Sequence, residues 1–89
     1  MKITDLYIKL KELEVDSNAY SLNGEVKDES YILEPDPRGG VWFFYSERGL
    51  RTGERFFDKE SEATIFLLDV LLSDRTVSRK QTTNNQSTT

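Results

Sequence analysis

Five consecutive apolar or aromatic residues, Val41-Trp42-Phe43-Phe44-Tyr45, constrain this chain more than any other feature of its sequence. Glycines at 39 and 40 precede them and Glu47-Arg48-Gly49 follows, so the run reads as one strand, Val41 to Glu47. Successive side chains leave opposite sides of a strand. Val41, Phe43 and Tyr45 therefore share one face, and Trp42 and Phe44 the other. A small domain must cover both faces or leave an aromatic surface for a partner. Where the helices go decides the matter. If they lie on one face, the other stays open. If they lie on opposite faces, both aromatic sets become core.

The flanking segments give the domain around that strand. Ile3, Leu6, Leu10 and Leu13 recur at helical spacing, which predicts an amphipathic helix over Ile3 to Val15, capped by Thr4 or Asp5 and ended by Asp16-Ser17-Asn18. Tyr20 to Leu22 reads as a short extended piece closed by Asn23-Gly24. Ser30 to Glu34 is a strand, joined to the aromatic strand by the turn residues Asp36 to Gly40. Arg48 to Gly53, with two glycines suited to positive φ, reads as a hairpin connection to a returning strand that starts at Thr52 or Glu54 and ends at Phe57. Asp58 is placed to cap a second helix, Lys59 to Ser73, with Glu60 and Glu62 at its positive end. That helix is apolar on most sides and must be buried on more than one. It fits between the sheet and the first helix, and a homodimer contact would serve as well. The predicted class is α+β, a two-layer α-β-β-β-α domain over 1–74 with a three-stranded antiparallel meander. Residues 75–89 hold one apolar residue, Val77, and read as a polar, disordered tail.

At 89 residues the chain makes one domain. It lacks cysteine, so no disulfide or thiolate metal site supports it. Its first residues alternate charged and apolar side chains, unlike a secretion signal. The apolar run Ile65 to Leu68 is far short of a membrane span. The expectation is a cytoplasmic protein with no membrane partner. The net charge of −4 is placed unevenly: residues 1–40 carry nine acids against five bases, and the rest is balanced. Phosphate binding needs clustered Lys and Arg, so nucleic acid is not the expected partner. A basic protein suits this half better, although an acidic surface also keeps a protein soluble.

Without histidine or cysteine the common nucleophilic triads and zinc sites are excluded. Carboxylate pairs remain, yet no spacing singles one out. Asp58, Glu60 and Glu62 are explained by helix capping, and Asp28, Glu29, Glu34 and Asp36 lack the spacing of an EF-hand loop. The glycines match neither a dinucleotide fingerprint nor a phosphate loop. The expectation is a non-enzyme with no cofactor and no metal. For Trp42 and Phe44 two readings stand: core packing beneath a helix, or an aromatic platform at a protein interface.

Three segments together, Tyr20-Ser-Leu-Asn-Gly24, Trp42-Phe-Phe-Tyr-Ser-Glu-Arg-Gly49 and Phe57-Asp-Lys-Glu-Ser-Glu-Ala63, carry a resemblance. Over roughly Asp16 to Asp74 the chain resembles small immunity proteins of bacterial polymorphic-toxin and contact-dependent growth inhibition systems. The resemblance implies stoichiometric, non-catalytic blockade of a cognate toxin domain, often a nuclease. A nuclease cleft is basic, which an acidic inhibitor complements. The residues expected to face the toxin are Glu25, Asp28, Glu29, Glu34 and Asp36, with Tyr31 or Trp42 as apolar anchor and Glu47 at the strand end. The chain would act as a monomer or a homodimer. The alternative is a small intracellular adaptor with an acidic and aromatic surface.

Overall fold

Helix α1 (Ile3–Glu12) starts after Lys2, whose backbone N–H donates to the Asp5 carboxylate at 3.0 Å. The computed structural model describes residues 1–74, and the tail expected over 75–89 lies outside the described residues. A second helix carboxylate, Glu60, accepts the Ile3 N–H at 2.6 Å, so the two helices are tied together at their N-terminal ends. The buried Thr64 hydroxyl reinforces the join through the Met1 carbonyl, at 2.8 Å. α1 stops short of the expected Val15 because Val15 donates back to the Leu10 carbonyl and Glu14 to that of Lys11. This is a Schellman ending with Glu14 at positive φ (59°), and Leu10 and Val15 meet in the core beneath it.

The chain then makes a 3₁₀ turn, Ser17–Ala19, started by the Asp16 carboxylate accepting from Asn18 N–H. Four strands follow in one sheet: β1 (Tyr20–Ser21), β2 (Ser30–Pro35), β3 (Val41–Glu47) and β4 (Leu50–Phe57), in that spatial order. β2, β3 and β4 form the expected antiparallel meander. The short piece at Tyr20 adds a fourth strand, parallel to β2, with Tyr20 opposite Tyr31 and Ser21 opposite Ile32. Two residues of parallel pairing leave too little alternation to announce a strand in sequence. The pairing is held instead by the loop, where Lys27 Nζ donates to the carbonyls of Ser17 and Tyr20.

The β3–β4 hairpin is tighter than the glycines suggested. Its connection is Arg48-Gly49 alone, both at positive φ (54° and 79°), as a two-residue turn of the I′ kind requires. Gly53 is not in the turn. It sits within β4 at φ 65°, where the register slips between Phe43 and Tyr45. Phe43 faces Arg55 and Tyr45 faces Thr52, so two β4 residues, Gly53 and Glu54, stand against Phe44 alone as a glycine bulge.

Helix α2 (Glu60–Ser73) begins after Lys59, and no side chain caps it; the Asp58 carboxylate expected there does not do so. It lies on the sheet and packs against α1, as its nearly all-round apolar surface demands. Ala63, Leu67 and Leu71 join Leu6 and Leu10 of α1 in one core with Leu33, Val41 and Phe43. Phe66 meets Phe43 edge-on at 4.9 Å. Both helices thus belong to the core on the Val41/Phe43 face of the sheet, a two-layer α+β arrangement. No helix among the described residues is long and apolar enough to cross a membrane.

Candidate functional site

With the helices on one side, the face carrying Trp42 and Phe44 has no helical cover. Cross-strand register assembles it: Trp42 stands opposite Glu34 on β2 and Phe56 on β4, while Phe44 stands opposite Ile32. The two aromatic residues that β3 places on this face have different fates. Phe44 is 1 % exposed and Ile32 is fully buried, as is Ser30 beside them, whose hydroxyl donates to the Lys27 carbonyl of the β1–β2 loop. The Arg51 guanidinium lies 3.8 Å above the Phe44 ring, held there by Glu34 at 2.9 Å and Glu54 at 3.2 Å. An arginine plane shields an aromatic face well because it is weakly hydrated and attracted by the ring quadrupole. The bulge at Gly53 and Glu54 sits opposite the ring that Arg51 covers.

Trp42 is half-buried and its neighbour Phe56 is 43 % exposed, their ring centroids 5.0 Å apart. The indole N–H donates to the Asp36 carboxylate at 3.1 Å. Asp36 also accepts from the Arg38 backbone at 2.8 Å and its guanidinium at 3.2 Å. Those Arg38 bonds, then the Trp42 bond, hold the Asp36 carboxyl at about 2, well below its ordinary value. Asp36, Arg38, Gly40, Trp42, Phe56 and Asp58 line a shallow depression at this end of the sheet. The arrangement is a rigid aromatic pair in a ring of fixed charges. It offers contact area and orientation, and among the described residues no group of three acids is placed to hold a metal ion.

The residues expected to meet a partner are divided among four places. Glu34, Asp36 and Trp42 converge on the uncovered face. Asp28, Glu29 and Glu47 gather at the opposite end of the β2–β3 pair, where Ser30 faces Ser46, roughly 17 Å away along the strands. There Asp28 accepts the Arg48 N–H at 2.6 Å and supports the hairpin turn. Glu25 lies on the β1–β2 loop, near α1. Tyr31 points to the helix side. Its ring stacks on Phe43 and its hydroxyl donates to Asp74 at 2.9 Å; burial, then that bond, push its pKa up to about 12. Tyr31 thus does not share a surface with Trp42.

Sequence reading missed Arg51, Glu54 and Phe56. The signal for Phe56 was present: with a two-residue turn at Arg48-Gly49 and one bulge, the return strand brings Phe56 opposite Trp42. Comparison with family models, curated proteins and solved structures finds no match to this chain.

Proposed function

We propose that this chain is an immunity protein that binds a cognate toxin domain in the cytoplasm and neutralises it by occupying its surface, without catalysis. The observation that carries the reading is the uncovered sheet face, where the Trp42–Phe56 pair is half-exposed and set among Glu34, Asp36, Glu54 and Asp58. Large aromatics in a preorganised setting dominate protein interfaces, and the Trp42 rotamer is already fixed by Asp36. A basic partner such as a nuclease suits the surrounding carboxylates, and the net charge of −4 would steer it inward.

In this reading Glu34, Asp36 and Trp42, with Phe56, form the centre of the contact. Asp28, Glu29 and Glu47 act at a distance, as steering charge. The test is co-expression with the C-terminal domain of a toxin encoded beside this chain. The two should co-purify at equal stoichiometry, and toxin activity should vanish at one equivalent. The double variant Trp42→Ala/Phe56→Ala should keep its fold and lose inhibition at that ratio. Full protection by the double variant, or failure to form a complex, rules the assignment out.

A further inference from the structure

The uncovered sheet face contains one arrangement of groups twice, with a cation in only one of them. At Phe44 the ring carries the Arg51 guanidinium 3.8 Å from its centre, and Glu34 and Glu54 hold that cation in place. Two residues along β3, Trp42 and Phe56 again set aromatic rings beside carboxylates. Here no cation among the described residues lies over either ring, although tryptophan offers the strongest face for one. Both rings are within reach from outside, since Phe56 is 43 % exposed and Trp42 is half-buried. They tilt at 57° to each other and form one angled wall of the depression.

The charges around that wall are not equivalent. The Asp36 side chain is only 8 % exposed, and it accepts from the Trp42 indole and from two nitrogens of Arg38, at 3.2 and 3.3 Å. Asp36 and Arg38 therefore answer each other. Asp58 lines the same depression, is exposed, and makes no hydrogen bond or ion pair. One negative charge is left uncompensated beside two accessible rings. An anion is repelled from such a place, and a neutral group leaves the carboxylate unanswered. A guanidinium suits both parts, because its weakly hydrated plane stacks on aromatic rings while its N–H edge donates to a carboxylate.

We infer that the depression receives an arginine side chain of a partner protein, its plane on the Trp42–Phe56 rings and its edge donating to Asp58. The inference rests on the proposed toxin-binding role for the identity of that partner.

Trp42 is the single tryptophan of the chain, so its indole N–H signal reports on this one place. The test is titration of the full chain with N-acetyl-arginine amide, its neutral isostere N-acetyl-citrulline amide, and N-acetyl-lysine amide, to about 100 mM at fixed ionic strength. The arginine probe should shift the indole signal and the Gly40 amide together. Citrulline should bind about tenfold more weakly and lysine about threefold more weakly. Asp58→Asn should weaken the arginine probe about threefold to fivefold and leave the urea midpoint unchanged. Glu12→Gln removes the same charge from the helix side and should leave binding as it is. The inference is overturned if arginine produces no shift, if arginine and citrulline act alike, or if Asp58→Asn and Glu12→Gln have equal effects. A toxin domain that is neutralised by a chain blind to arginine would overturn this contact and leave the immunity role standing. A chain that takes the arginine probe but protects against no toxin would do the reverse.

Discussion

Single atoms decide how the uncovered face is held. Asp36 ties the Trp42 indole to the β2–β3 turn, and its carboxyl is held at about 2 against an ordinary 3.8. Because the folded value lies below the unfolded one, the stabilisation is complete above about pH 3.8 and disappears as pH falls through about 2. Asp36→Asn should therefore flatten the change in urea midpoint across that window; curves that overlay those of the parent would show that the carboxylate charge contributes nothing. Gly40, at φ 86°, is as constrained from outside as from within. A methyl group there would lie 2.8 Å from Phe56 Cε1 and 2.8 Å from the Phe57 carbonyl. Gly40→Ala should cost about 2–4 kcal/mol, from strain and clash together. Gly39→Ala, which meets nothing within 4 Å, should suffer only the strain of its φ of 112°. Equal losses in thermal unfolding of the two variants would argue against the Phe56 contact.

Each secondary-structure element was legible to the extent that its own residues specify it. The aromatic strand was read correctly from Val41 to Glu47, because its limits are set by glycines and charges next to it. The end of α1 was not, since the backbone bonds that close it place a glutamate where glycine is usual. That misfit is itself testable. Glu14 is exposed at φ 59°, so Glu14→Gly should raise stability by about 1 kcal/mol, read as a higher denaturation midpoint. The extended piece at Tyr20 was legible, but its parallel pairing with β2 and the Gly53 bulge were not, for a different reason: both exist only by pairing with distant residues. The same dependence separates the two aromatics of one face. Phe44→Ala should lower stability by about 3–5 kcal/mol, as for a buried ring. Trp42→Ala should cost much less in urea unfolding and, on the proposed function, should weaken binding of the partner toxin domain more than tenfold. A reversal of that order would mean that Trp42 is core and Phe44 the contact.

At the scale of the whole molecule, the acidic first half does not fold into one acidic wall. Its carboxylates are shared between the Trp42 end of the sheet, the hairpin end and the β1–β2 loop. Sequence proximity suggested a continuous surface from Glu25 to Asp36, but strand alternation and a six-residue strand between the two ends divide it. Long-range attraction survives this division, because it depends on total charge more than on contact. Reversing Glu29 and Glu47 to lysine, away from the Trp42 pair, should slow association with a basic partner several-fold at low ionic strength. The gap should close as salt shortens the screening length below about 10 Å. Asp28 is the wrong residue for this test because it supports the Arg48 turn. An association rate unmoved by the double reversal would show that charge does not guide the encounter. The bulge in β4 has a consequence at this scale as well. β4 is the outer strand, eight residues long, yet it is broken at Gly53 and crowded with Arg51, Glu54 and Arg55. A second copy cannot lay its own β4 alongside in register without meeting that kink and those charges. If the chain blocks a partner as proposed, it would be needed in excess of what it blocks, and an edge that refuses its own kind would keep that surplus from pairing with itself.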